Sequence, residues 1–280
     1  MRNNQRRASS ARGRRSASKA AAKPTILSYE VPTEFVALPS RGRFYPKNHP
    51  FHKKETVEIR YMTAKEEDIL SSQSLITEGI VIDRFLESVM VDDVDSTTLL
   101  VGDRSAIMIA ARISGYGSDY GVQITCPNCG SKSEMSFDLN EEKTIREKCF
   151  DADFLSDNGV TVTAGGDIKV VLPISNFKVQ LKMLTSLDQD DYAVAIKEAI
   201  DSSIITTSLK LIIEKIEDCD DPKQIDEIIM NLPAKDSKFI RALYPKLLPA
   251  VELRKDFKCQ SCFHMEDMEV PISAAFFWPK

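Results

Sequence analysis

Polar and apolar side chains alternate from Thr56 to Met62, placing Val57, Ile59 and Tyr61 on one face, which predicts a half-buried strand. Thr63 then stands three residues before Glu66, the spacing of a capping box, and Glu67 and Asp68 add negative charge where a helix dipole favours it. A helix through about Leu75 is expected. Ile82, Phe85, Leu86 and Val89 recur at three- and four-residue steps and predict a second helix over roughly Ile80 to Met90, broken by Asp92, Asp93, Asp95 and Ser96. Asp103 is the expected cap of a third, largely apolar helix from Arg104 to Ser114, stopped by Gly115 and Gly117.

The pattern then changes period. Tyr120 to Thr125 and Lys132 to Leu139 alternate like strands, and Phe257-Lys258 with His264 to Ile272 repeat that arrangement late in the chain. Between them, Gly159 to Thr163 and Ile168 to Leu172 flank Gly165-Gly166-Asp167, a hairpin signal. A helical stretch is expected from about Asp190 to Ile216, with Ala195, Ala199, Ile212 and Ile216 at four-residue steps and a weaker β-branched run at 204–207. Another helix is capped near Asp221-Pro222 and runs to Met230, and a last one covers Ala234 to Leu247.

Each late and early pair of strands brackets a Cys-x-x-Cys turn, Cys126 to Cys129 and Cys259 to Cys262. Two such turns brought together supply four sulfurs for a tetrahedral, structural Zn2+ with no open position for water or substrate. The usual spacing between pairs is about 15 to 20 residues; here residues 130–258 intervene, a domain-sized insertion into a zinc ribbon. Reduced cysteines in ordinary turns, or a redox dithiol, are the alternatives; the latter wants the first cysteine at a helix start, and neither pair opens a helical pattern. His264 is a possible substitute ligand. Cys149 and Cys219 have no partner at ligand spacing and read as small apolar residues.

The expected fold class is therefore α+β. A helical N-terminal region (30–119) precedes a split four-cysteine ribbon of β-hairpins (120–140 and 254–273), with a mainly helical lobe inserted at 141–253.

Charge adds a further division. Residues 1–29 hold eight basic side chains and no acidic one, so the net charge of −5 leaves the remainder at −13 once those eight are set aside. Such a segment has little to bury and is expected to be a disordered tail, with an acidic partner, nucleic acid or protein. An acidic body disfavours phosphate contacts by the fold itself. Six cysteines without a signal-peptide pattern lead us to expect a reduced, cytosolic protein, and no apolar run approaches the roughly 20 residues of a spanning helix.

Enzyme signatures are missing from the pattern. Three histidines and 11 glycines form no phosphate loop, dinucleotide fingerprint or nucleophile elbow. His49 and His52 make at most an incomplete metal pair, and the aspartates at 92, 93 and 95 lack the glycine and closing glutamate of a calcium loop.

Four stretches carry a family likeness: Val36 to Pro46, Val57 to Leu70, Leu100 to Gly117 and Thr125 to Gly130, in that order, with the ending Phe276 to Pro279. Together they resemble the baseplate hub proteins of T-even-type contractile-tailed bacteriophages. The likeness is dense over 36–139, thin through the insertion and absent from the basic tail. It implies a late, structural or assembly protein of the baseplate hub, with other tail proteins as partners, located in the virion tail or in the host cytoplasm during assembly. A zinc-ribbon nucleic-acid adaptor using the Arg-rich tail is the competing expectation.

Overall fold

Local chemistry starts the first layer. In the computed structural model, which describes residues 30–141, 143–198, 203–270 and 276–277, β1 (Thr33–Ala37) and β2 (Thr56–Arg60) form an antiparallel pair. The basic tail lies outside the described residues. Thr63 and Glu66 make the reciprocal capping box of α1 (Ala64–Ser71), and the other oxygen of Glu66 accepts the Ser88 hydroxyl at 2.6 Å. That ties α1 to α3 (Val81–Val89), which follows the short α2 (Gln73–Glu78). Burial of Phe85, Leu86 and Val89 is the inward stripe that their spacing predicts.

α4 (Val101–Tyr116) is the central helix of the first core. It starts earlier than expected, and Asp103 is not its cap. The Asp103 carboxylate is instead buried, accepting the Ser40 N–H at 3.0 Å together with the Ser40 hydroxyl and the Tyr45 hydroxyl. Tyr45 in turn accepts the N–H of Leu100, at the helix start, at 3.0 Å. Donors 58 and 63 positions away in the sequence have taken the aspartate from its local role. Burial drives the Asp103 carboxyl above its ordinary range despite those hydrogen bonds.

The ribbon strands follow: β3 (Asp119–Thr125) pairs with β4 (Lys132–Asp138), and then β5 (Lys143–Arg146) leads through a short turn to α5 (Ala152–Asp157). A second core is built on an antiparallel sheet of β6 (Val160–Val162), β7 (Ile168–Val171), β8 (Lys178–Leu181) and β9 (Ile213–Ile216), with α6 (Ser186–Glu198), α7 (Ile204–Ile212), α8 (Pro222–Met230) and α9 (Ala234–Leu247). Its apolar interior comes from residues between Val160 and Leu247, and among the described residues only the half-buried Phe44 and Met183 pack against both cores.

The expected helix from 190 to 216 does not run through to its end, because α7 stops at Ile212 and a strand follows. Ile213 to Ile216 leave the helix because β8 offers them a ladder, with Ile216 opposite Val179 and Ile213 opposite Leu181. Four-residue spacing of Ile212 and Ile216 therefore does not mark one helical face. Ala199 lies outside the described residues. Asp221 does cap α8, accepting the Lys223 N–H, with Pro222 inside the first turn.

β10 (Ala250–Lys258) returns the chain to the first core, between β11 (Met265–Glu269) and β5. A Cβ at Gly102 would lie 1.9 Å from the Pro249 carbonyl oxygen, so only glycine lets α4 approach the start of β10 this closely. Arg112, buried among apolar neighbours, donates to the carbonyls of Phe276, Gly117 and Asp119 at 2.7, 2.7 and 3.1 Å. Among the described residues no helix is long and apolar enough to cross a membrane.

Candidate metal centre

The two cysteine turns are built alike. Thr125 faces Lys132 at the end of one hairpin and Lys258 faces Met265 at the end of the other, leaving loops 126–131 and 259–264. In each loop the first cysteine donates its N–H to a carbonyl five residues on, Ser131 at 2.8 Å and His264 at 2.9 Å. In each, the residue after the second cysteine donates back to the first cysteine's carbonyl, Gly130 at 2.9 Å and Phe263 at 3.1 Å. Those N–H groups fold the loop so that both sulfurs face one side.

The loops bring all four thiols together, every sulfur within 4.8 Å of the others. Cys126 and Cys262 are 3.7 Å apart, as are Cys129 and Cys259, so each close approach joins one turn to the other. A disulfide needs about 2.05 Å, and all four cysteines are free. Four sulfurs at Zn–S distances of about 2.3 Å around a tetrahedral ion lie about 3.8 Å apart. Both the donor set and its spacing thus fit a four-thiolate structural metal.

Neighbours prepare the thiols unequally. Burial pushes Cys126 up to about 11, while Cys259 falls to about 5, chiefly through the Ser131 hydroxyl 3.2 Å away and then the Cys262 N–H. The same hydroxyl lies 3.1 Å from Cys129 and holds that thiol below its ordinary range too. Its single proton serves one sulfur at a time. Asn128 donates its side-chain amide to Cys262 at 3.5 Å, across the two turns.

Ser131 and Asn128 escaped sequence reasoning, although both lie within two residues of a cysteine. The overlooked signal was that Ser131 and His264 hold equivalent loop positions. His264 turns its imidazole 3.2 Å from Glu266 and is not in the ligand group. Cys149 is buried and raised by that burial to about 12; Cys219 donates to Gln224 at 3.3 Å.

The other two histidines and two of the three candidate aspartates have structural partners. His49 bonds Thr98 through Nε2 at 3.0 Å, accepts the Phe51 N–H at Nδ1, and stacks on Tyr45, while His52 bonds the Tyr45 carbonyl. Asp92 pairs with Lys54 and Asp95 caps a single 3-10 turn.

Searches of curated proteins and of solved structures find no match. The family described as T4 bacteriophage base plate protein matches residues 34–278, spanning both cysteine turns and everything between them. The chain belongs to the T4 bacteriophage base plate protein family.

Proposed function

We propose that this protein is a component of the baseplate hub, acts through protein–protein contacts without catalysis, and holds a structural Zn2+ on Cys126, Cys129, Cys259 and Cys262. Family membership makes it a structural component of a phage baseplate, found in the virion tail with other tail proteins as partners. The hub position rests on the resemblance over Val36–Pro46, Val57–Leu70 and Leu100–Gly117. A period of residence in host cytoplasm during assembly, as a late protein, belongs to the same reading.

Zinc rests on the mutual approach of four sulfurs from turns some 130 positions apart. In this reading 120–140 and 254–273 make one split ribbon, 30–119 precedes it, and 141–253 is the inserted lobe. Closing so long a loop restricts the unfolded chain, so the metal fixes where the lobe begins and ends. A fully coordinated ion has no place for substrate, which supports a scaffold.

Metal content of the purified protein tests the site. One equivalent of zinc is expected, with loss in the Cys259→Ser/Cys262→Ser variant; unchanged content would remove the second pair from the site. Cobalt substitution should give the absorption of tetrahedral four-sulfur coordination. Locating the protein at the central axis of purified baseplates tests the hub position, and a peripheral location would end it.

A further inference from the structure

Two strand edges border one groove. β1 pairs with β2 alone, and the Leu38 N–H to Glu55 carbonyl and Tyr61 N–H to Pro32 carbonyl bonds, 2.8 and 2.9 Å, fix which residues face β2. Hydrogen-bonding residues alternate along an antiparallel ladder. The even-numbered residues are therefore committed to β2, and Thr33, Phe35 and Ala37 turn their N–H and C=O groups outward. The same parity holds at β5. Val270 N–H to Leu253 carbonyl and Cys259 N–H to His264 carbonyl give the odd-numbered residues of β10 to β11. Even-numbered Ala250 and Glu252 then pair with Arg146 and Thr144, leaving Lys143 and Ile145 with outward backbone groups. Among the described residues nothing pairs with these outer edges.

The groove has a volume of about 280 Å³ and is floored by α4 through Ala106, Ala110 and Ile113, which share one helix face. Alanines there leave room for a backbone to approach. Glu34 borders it with a buried Oε1 that has no hydrogen-bond partner among the described residues, the nearby Lys143 charge acting on it without such a bond, an arrangement that costs free energy until a donor arrives. Phe35 and Ile145 are 72% and 42% exposed on either side. Among the described residues no proline, bulge or covering element blunts the outer edge of β1; its five-residue length and the inward charge of Glu34 are the protections it carries.

We propose that this groove receives one extended segment of another baseplate polypeptide, which pairs its backbone with β1 and β5 and presents a hydrogen-bond donor to Glu34. The guest would join β2–β1 to β5–β10–β11 as one sheet across α4, the strand-addition mode of recognition. An extended backbone alone satisfies both edges at once. The described strands of this chain are all held in ladders, so none of them is free to fill the groove, and family membership makes other tail proteins its neighbours. The inference rests on the baseplate assignment.

A photoreactive benzoylphenylalanine placed at Phe35, or at Ile145, in the full chain and irradiated within purified baseplates reads the occupant directly. Both positions should cross-link to the same stretch, about ten residues or less, of one other baseplate polypeptide. Cross-links at neither position, to different polypeptides, to residues 1–29, or to a second copy would overturn the proposal. Absence of the protein from baseplates would overturn the assignment as well, whereas presence without cross-links overturns the groove alone. As a second measure, Phe35→Pro removes an outward N–H that the β1–β2 ladder does not use. Its incorporation into baseplates should fall about tenfold relative to Phe35→Ala, the equivalent of one lost hydrogen bond; equal incorporation would count against strand pairing.

Discussion

Phe263 holds, in the second cysteine turn, the backbone position that Gly130 holds in the first, with φ of 56° against 71°. Both are left-handed, because the N–H after the second cysteine must reach the first cysteine's carbonyl. Glycine adopts this conformation freely, and a side chain there costs about 1 kcal/mol or more. Phe263 is 71% exposed, so its ring returns little packing for that strain. Gly130→Phe should therefore destabilise the metal-loaded protein by about 1 kcal/mol. Phe263→Gly should be neutral or stabilising by up to about 1 kcal/mol, since relief of strain competes with the greater freedom of an unfolded glycine. Urea midpoints at fixed zinc concentration check both signs.

Metal binding should release protons in a way set by the unequal thiols. Cys126, raised by burial to about 11, is protonated at neutral pH and must give up its proton to a metal; Cys259, held near 5 by Ser131, is already a thiolate. Affinity should thus fall steadily as pH drops from 8 and fall more steeply below about 5, where Cys259 takes up a proton. Ser131→Ala removes the hydroxyl and returns Cys259 toward the ordinary thiol value of about 8.5. That variant should release more protons per metal at pH 7 than the native protein, by less than one from Cys259 because the Cys262 and Ser261 N–H groups still hold it down, with Cys129 shifting in the same direction. Calorimetry in buffers of different ionisation enthalpy measures the count, and an unchanged count would show that the hydroxyl does not set the Cys259 charge.

What was legible in the sequence was local. The Thr63–Glu66 box lies within one turn, and Asp221-Pro222 marks its helix by neighbours alone. The cysteine pairs were legible because coordination chemistry makes a long-range demand that spacing reveals. Asp103 was misread because its donors, Ser40 and Tyr45, arrive from another loop. Ile216 was misread because the β8 ladder decides its conformation. β10 begins at Ala250, before its expected start, since Arg254, Lys255 and Asp256 interrupt the alternation; the Arg254–Asp267 pair, 2.7 Å apart, places that charge on the exposed side of the ribbon.

Acid should weaken the α1–α3 connection first through Glu66. Burial pushes its carboxyl up, but the Ser88 and Thr63 hydrogen bonds outweigh this and hold it below its ordinary value. The unfolded chain therefore takes up the proton first as pH falls. The stabilisation is complete above the ordinary carboxylate range and is lost as pH drops through the folded value. Glu66→Gln should cost about 1 kcal/mol at pH 7, from charge-assisted bonds replaced by neutral ones, and the difference from the native protein should vanish once pH has fallen below the lowered value of the folded carboxyl. A difference that persists there would assign the effect to packing.

Arg112 fastens Phe276 to the central helix, and among the described residues its hydrogen-bond acceptors are carbonyls rather than carboxylates. Its three carbonyl acceptors belong to Phe276, Gly117 and Asp119, and its guanidinium lies 5.2 Å from the Tyr116 ring centre. Phe276 and Phe277 are buried beside Phe85 and Tyr120, so the arginine and the aromatic pair hold one another in place. Arg112→Met keeps much of the side-chain volume but leaves the buried Phe276 carbonyl, and the more exposed carbonyls of Gly117 and Asp119, without that donor, at a cost of about 2 kcal/mol. Arg112→Lys supplies one charge without the planar fork and should recover only part of the loss. Carboxypeptidase digestion separates a local from a global effect: release of residues beyond Phe276 should accelerate in Arg112→Met at urea concentrations that leave α4 helical. Equal digestion of variant and native protein would show that the terminus is held by the aromatic contacts alone.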